Sequence, residues 1–295
     1  MAPFLENIPL SKYTTFGIGG PARFFAEVTN VEQMQNVLKE AGDLPLFLLG
    51  NGSNILFDDR GFDGLVILNR IQFFKQEGSR FSVGAGFNFS LLGSKVSRLG
   101  FGGLEFASGI PGSVGGAVFM NAGANGFETA DFLQEVHFVD RQGILHVFEK
   151  DELVFAYRTS PFQKKKGAIV SAVFELKECK NARKRRQDIV HYRQETQPYG
   201  EKSAGCIFRN PEGGSAGAFI EQAGLKGLQV GGAKVSEKHA NFIVNSEGKA
   251  SAEDVLRLME LVKTGVKNQL GKELVCEVRY IPYNQRDNTF WNEKM

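Results

Sequence analysis

Three cysteines in 295 residues, odd in number and without CxxC spacing, exclude a disulfide framework and argue against a zinc site. Four scattered histidines, His137, His146, His191 and His239, make no metal motif. No apolar run reaches membrane-spanning length, and the N-terminal MAPFLENIPLSKYTT has neither a basic n-region nor a long apolar h-region. The chain is therefore expected in the cytoplasm, with no membrane partner. Charge of one sign is also missing: 35 basic and 33 acidic residues leave a formal net charge of +2, which gives no general attraction for nucleic acid. The one basic knot, RKRR at Arg183–Arg186, precedes Ile189, Val190 and Arg193 at roughly helical spacing and reads as a solvated helix start or domain junction. No P-loop GKS or GKT follows a glycine-rich turn, so a nucleotide triphosphatase is disfavoured.

What is present is glycine, 35 residues of it, in a chain whose 42% hydrophobic and 23% charged content is that of a globular protein with a sizeable core. The densest cluster is LEFASGIPGSVGGAVFMNAGANG, residues 104–126. Leu104, Phe106, Ile110, Val114, Val118, Phe119 and Met120 interleave the glycines, so the run is folded backbone and not a solvated linker. It is either a tight crossing of loops or a ligand cradle. A second glycine-rich turn, GNGSN at 50–54, follows the apolar strand PLFLLG. Ile55 stands where a dinucleotide fingerprint needs its third glycine, and no long helix pattern follows directly, which disfavours a Rossmann fold. The remaining reading is a non-Rossmann site in which two loops grip an elongated, phosphate-containing ligand through unhindered backbone N–H groups.

Around these loops the pattern is α+β. Ala22–Val28 reads as a strand, and NVEQMQNVLKEAG as a helix with Asn30 as N-cap, Gln33 closing a capping box and Gly42 as the stop. Strands are expected near 65, 81, 134–149 and 167–178, with a hairpin turn at Asp140-Arg141-Gln142-Gly143, and a helix over 88–100. SAEDVLRLMELVKTGVKNQLG has a Ser251/Asp254 capping box, one apolar stripe and Gly271 as its end, and ELVCEVRYI follows as a strand. Alternation on that strand places Glu277 and Arg279 on one face and Cys276, Val278 and Tyr280 on the other. The expected division is 1–70 and 71–182 as two subdomains, 183–285 as a C-terminal domain and 286–295 as a polar tail.

Six motifs in order, GNGSNIL, GIPGSVGGAVFMNAGA, YRTSPF, SAGCIFRNP, VSEKHANFIVN and LVCEVRYI, resemble those of the UDP-N-acetylenolpyruvoylglucosamine reductases, in the shorter form of that family, from about Thr14 to about Ile281. The resemblance implies an FAD-binding fold of the vanillyl-alcohol oxidase type, two α+β subdomains, with a C-terminal α+β substrate domain. It implies reduction of UDP-N-acetylglucosamine enolpyruvate (UDP-GlcNAc-enolpyruvate) by NADPH through FAD in cell wall precursor synthesis, by a monomer. FAD contacts are implied at Gly50, Asn51, Gly52, Ser53, Asn54, Gly109, Ile110, Pro111, Gly112, Gly115, Gly116, Asn121, Ala122, Gly123 and Ile169, where side chains on the glycines would collide with the cofactor.

In the same resemblance Arg158 binds the substrate carboxylate and stabilises an enolate, Glu277 acts with it, and Cys206 stands where the family usually has a serine that protonates C2. A thiol, which ordinarily titrates at about 8.5, is a far stronger acid than an alkyl hydroxyl and can take that role, with Ser203 as an alternative. Tyr157, Arg193, Arg209, Asn210, His239 and Asn241 are implied contacts to substrate or pyridine nucleotide, whereas Cys179 and Cys276 read as small buried hydrophobes. A flavin oxidase or dehydrogenase of the same fold would share both glycine loops but have no need of the Arg158, Cys206 and Glu277 set, and a UDP-sugar or nucleotide-binding module without redox chemistry would be colourless and consume no NADPH.

Overall fold

The structure, a computed structural model, describes residues 4–284; the tail expected over 286–295 lies outside the described residues. Two compact units emerge, each discontinuous in sequence. Unit 1 holds Phe4, Ala26–Asn51 and Val66–Arg193, and unit 2 holds Leu5–Phe25, Gly52–Leu65 and the described residues from Gln194 onward. The division departs from consecutive segments because Phe16, Ile18 and Leu56 are buried in one core with Ile207, Phe208 and Met259. Thr15 Oγ1 donates to Ser203 O (2.6 Å) and Asn245 Nδ2 to Phe16 O (3.0 Å), so polar groups fix the same association.

Unit 1 is built on a five-stranded antiparallel sheet in the order Leu145–Glu149, Leu133–Asp140, Gly167–Glu175, Arg80–Gly84, Phe74–Glu77. The expected hairpin turn is closed by Gly143 N–H on Asp140 O (2.9 Å), while the Asp140 carboxylate takes the N–H groups of Gln142 and Ile144. Helices α1 (Val31–Glu40) and α3 (Val114–Met120) both pack on Gly167–Glu175, and that strand is buried along nearly all its length, as a strand covered by helices must be. Asn30 caps α1 by accepting from Gln33 N–H (2.9 Å), and the Gln33 side chain reaches back one residue further than a capping box, to Thr29 N–H (2.8 Å). Helix α2 (Phe89–Arg98) buries Phe89, Leu92 and Val96 in the same core. Helix α4 (Ala182–Thr196) carries the basic knot with its basic residues largely solvated. Cys179 is only partly buried, against Gly102, rather than a fully buried hydrophobe.

Unit 2 has a four-stranded antiparallel sheet in the order Ser203–Cys206, Phe242–Asn245, Ala233–Val235, Gln229–Val230. Helix α5 (Ala216–Gln222) packs against α6 (Ala252–Leu270), which also covers the strands 229–230 and 233–235. Helix α6 has the expected Ser251/Asp254 capping box, with Gly271 left-handed at its end. Asp59 adds to the cap, its carboxylate accepting from Ala252 N–H (2.9 Å) and Glu253 N–H (3.3 Å) at the positive end of the helix dipole. The strand expected over ELVCEVRYI is regular only at Arg279–Ile281, which pairs in parallel with Ile55–Phe57. Ile207 O accepts both Glu277 N–H (2.7 Å) and Val278 N–H (3.3 Å), and this doubled bond breaks the alternation at that point. Among the described residues no helix is long and apolar enough to cross a membrane.

Asp58, 7% exposed, joins these strands: it accepts from Arg60 Nε (2.9 Å), Arg60 Nη2 (2.8 Å) and Tyr280 Oη (2.7 Å). Burial pushes its carboxyl up, but the bonds from Arg60 and Tyr280 together outweigh burial and hold it at about 2. A depressed carboxylate stabilises the fold above its unfolded pKa and loses that contribution as pH falls through the folded value. The contribution is about 1–2 kcal/mol, the lower figure allowing for solvent screening by way of the exposed Arg60. Asp58→Asn is therefore expected to lower Tm at neutral pH, with the gap to wild type narrowing from about pH 5 to about pH 3. A gap of constant size across that range would remove the ionised carboxylate from the account.

Candidate active site

The glycine-rich segment of unit 1 runs as a 3-10 turn, Glu105–Ala107, into an extended stretch that lies along residues 85–89. Phe89 N–H donates to Gly112 O (2.9 Å), Val114 N–H to Phe87 O (2.9 Å) and Gly115 N–H to Ala85 O (2.8 Å). Ser113 then caps α3 through Gly116 N–H (3.2 Å). A Cβ on Gly115 would come within 2.9 Å of Ala85 Cβ, and one on Gly123 within 2.6 Å of Phe127 O. At these positions the protein's own close packing already requires glycine.

The second loop meets the first. A Cβ on Gly50 would overlap Ser113 Oγ, and Asn51 Nδ2 donates to Pro111 O (3.2 Å). Among the described residues, the backbone N–H groups of Asn51, Gly52 and Ser53 have no protein acceptor. Three successive free donors on one turn are a donor set suited to a pyrophosphate, and these residues fit FAD. Asn54, in unit 2, is tied to the C-terminal segment: its Nδ2 donates to Glu277 O (3.2 Å) and its O accepts from Arg279 N–H (3.1 Å). Ile169 is buried on the central strand of unit 1, its O accepting from Asn69 Nδ2 (2.9 Å).

The side chain of Asn121 is committed within unit 1. Fully buried and left-handed (φ 43°) at the end of α3, it donates from Nδ2 to Glu128 Oε2 (2.7 Å) and Ala156 O (3.0 Å) and accepts at Oδ1 from Ala130 N–H (3.1 Å). Its amide is thus spent within the protein. Arg193 is likewise a structural residue where a substrate contact was expected: 6% exposed, it donates from Nη1 to Ser108 O (3.0 Å) and from Nη2 to Phe106 O (3.0 Å), tying α4 to the glycine-rich segment. Asn241, 3% exposed, makes a closed pair of bonds with Phe208, from Phe208 N–H to Oδ1 (3.0 Å) and from Nδ2 to Phe208 O (2.8 Å), so its amide is buried and held by the backbone. The physical reason is common to the three: a buried polar side chain is held by unsatisfied backbone groups beside it.

Arg158 lies in unit 1, at the second position of a two-residue turn closed by Ala156 N–H on Thr159 O (3.1 Å) and Thr159 N–H on Ala156 O (2.9 Å). Its φ of 55° is a left-handed value that favours glycine at that position, and its guanidinium carbon lies 5.0 Å from the ring centre of exposed Tyr157. Gln163 and Ser160 hold this turn; Ser160 falls within YRTSPF and Gln163 just after it, and nothing beyond their polar type marks either for the task.

Cys206 and Glu277 lie in unit 2 and are brought together by strand pairing, through the Phe208↔Cys276 bridge and the Glu277 N–H to Ile207 O bond. Cys206 is a half-buried thiol that forms no disulfide. Ser203 pairs with Val244 and Cys206 with Phe242, three residues against two, so one residue bulges at left-handed Gly205 (φ 74°). The bulge turns Ser203 and Cys206, which regular alternation would oppose, onto one face. Cys276 is buried as expected, and burial pushes its thiol up, which keeps it protonated and inert.

His239 accepts at Nδ1 from Asn241 N–H (3.3 Å), which puts the ring proton on Nε2; burial chiefly, helped by Lys226 and opposed by its own backbone bond and Glu221, pushes the imidazole down and keeps it neutral. Arg209 has a buried Nε with no partner among the described residues, and Asn210 Oδ1 accepts from Ala216 N–H (3.1 Å) at the start of α5.

Two family models match this chain: an FAD binding domain over residues 22–149 and the C-terminal domain of UDP-N-acetylenolpyruvoylglucosamine reductase over 197–281. A protein of that name from Protochlamydia amoebophila is 58% identical over 284 residues, 95% of each chain. Another from Chlamydia trachomatis serovar A is 51% identical over 283 residues, 94% of this chain and 96% of that one. The crystal structure of UDP-N-acetylenolpyruvylglucosamine reductase from Thermus caldophilus superposes with a TM-score of 0.80 at 40% identity, covering 94% and 98%. The α+β fold is thus an FAD binding domain joined to a C-terminal domain, and the chain belongs to the UDP-N-acetylenolpyruvoylglucosamine reductase family, whose members are FAD-dependent oxidoreductases.

Proposed function

We propose that this chain reduces the enolpyruvyl ether of UDP-N-acetylglucosamine to the lactyl ether of UDP-N-acetylmuramate, with NADPH as reductant, as a cytoplasmic monomer in peptidoglycan precursor synthesis. The observation that carries the reading is the relationship to the reductases over 95% of the chain at 58% identity. FAD held at the glycine loops would supply the hydride chemistry that links NADPH to C3 of the enolpyruvyl group. The residues Gly50–Asn54 and Gly109–Gly123, with Ile110, Pro111 and Ala122 among them, hold the cofactor, the first loop through the backbone N–H groups of Asn51, Gly52 and Ser53 and the second by close contact of its small residues. Arg158 binds the substrate carboxylate with its planar fork, and its fixed positive charge stabilises the negative charge that develops at C2. Glu277 acts in a protonated or hydrogen-bonded form, because a bare carboxylate beside that charge would repel it. Cys206 gives its Sγ proton to C2, with Ser203 on the same face as the alternative donor. Arg209, Tyr157 and the Nε2–H of His239 are left as donors and stacking surface for the sugar nucleotide.

The test is the anaerobic visible spectrum of the purified protein. Flavin bands that bleach with NADPH and return on addition of UDP-GlcNAc-enolpyruvate are the expected result. Bands that bleach but stay bleached with the sugar would assign the chain to another flavin chemistry, and a colourless protein that FAD does not reconstitute would end the reading of both loops.

A further inference from the structure

The turn that carries Arg158 is held from three sides. Gln163 Nε2 donates both to Arg158 O (3.0 Å) and to Phe119 O (3.0 Å), and buried Ser160 donates from Oγ to the same Phe119 O (2.7 Å). Asn121 Nδ2 donates to Ala156 O (3.0 Å), on the other side of the turn. Phe119 O is one of the last carbonyls of α3, which a helix leaves without an internal partner, and Asn121 is the residue that ends that helix. The turn is thus moored to the end of the helix whose first residues belong to the glycine-rich segment. Left to itself, an arginine with φ near 55° would relax, since that conformation costs a non-glycine residue about 1–2 kcal/mol.

We propose that Gln163, with Asn121 and Ser160, is a positioning residue for the reaction: its amide bridge keeps the Arg158 turn left-handed and so sets where the guanidinium meets a carboxylate-bearing substrate. The inference rests on the role given to Arg158 above. Gln163 touches neither reacting group in this account; it acts only through the backbone of Arg158. Its side chain is exposed, so replacing it removes two hydrogen bonds without opening the core.

The experiment separates the two half-reactions by stopped-flow absorbance of the FAD-loaded enzyme, in wild type, Gln163→Leu, Gln163→Glu, Arg158→Ala and the Gln163→Leu/Arg158→Ala double variant. Gln163→Leu is expected to slow flavin reoxidation by UDP-GlcNAc-enolpyruvate about tenfold, the loss of two bonds of ordinary strength, and to leave flavin reduction by NADPH unchanged. Gln163→Glu, equal in size but without donors when ionised, is expected to show the same defect. In the Arg158→Ala background, Gln163→Leu is expected to add nothing, because a residue that works through another has no effect once the other is gone. Slowing of both half-reactions alike, a full additive effect in the double variant, or wild-type reoxidation in Gln163→Glu would each overturn the positioning role while leaving Arg158 in place. Wild-type reoxidation in Arg158→Ala would remove Arg158 from the proposed chemistry and the clamp with it.

Discussion

Cys206→Ala is expected to retain flavin reduction by NADPH and to lose reoxidation by the enolpyruvyl sugar by about 10²–10⁴-fold, the usual range for removal of a general acid. The thiol sits on a half-buried bulge in the segment paired with that of Glu277, where proton delivery to one carbon needs a donor held in place. Cys206→Ser is expected to keep substantial activity, because a hydroxyl can donate from the same site. Single-turnover measurements of the alanine variant decide the matter, and turnover equal to wild type would take Cys206 out of the mechanism. The shared face of Ser203 and Cys206 gives that outcome a concrete sequel, since Ser203→Ala would then abolish reoxidation in its place.

Arg158→Gly is expected to move activity and stability in opposite directions. Loss of the guanidinium should slow sugar-dependent reoxidation by about 10²–10³-fold, the scale seen when a fixed donor to a developing negative charge is removed. Relief of the left-handed backbone returns about 1–2 kcal/mol, offset by about 0.4–1 kcal/mol for the greater freedom of glycine in the unfolded chain. Tm is accordingly expected to equal or exceed that of wild type. A Tm several degrees lower would show that the turn is not strained, and the conformation would then need no clamp. Strain retained at one arginine, against the local preference for glycine, is what a site that trades stability for function looks like.

Elements governed by contacts a few residues apart were legible before any fold was known. The Asn30 cap of α1, the Ser251/Asp254 box and Gly271 end of α6, and the 140–143 turn all depend on bonds between near neighbours in sequence. The ordered motifs likewise pointed to the family from side-chain types and spacing alone. By contrast, LVCEVRYI has the composition of a regular strand, and only the doubled bond at Ile207 O stops the ladder short of Glu277.

Helix ends, glycine loops and family are readable from the chain alone, because each is written in residues close together or in an ordered set of motifs. Long-range packing settles that residues 5–25 and 52–65 belong with the C-terminal unit, that Ser203 and Cys206 share a face, and that the side chains of Asn121, Arg193 and Asn241 are bonded within the protein. Those outcomes depend on which carbonyls and amides are left unsatisfied once distant segments pack, and the identity of a polar residue does not reveal which distant backbone group it will meet.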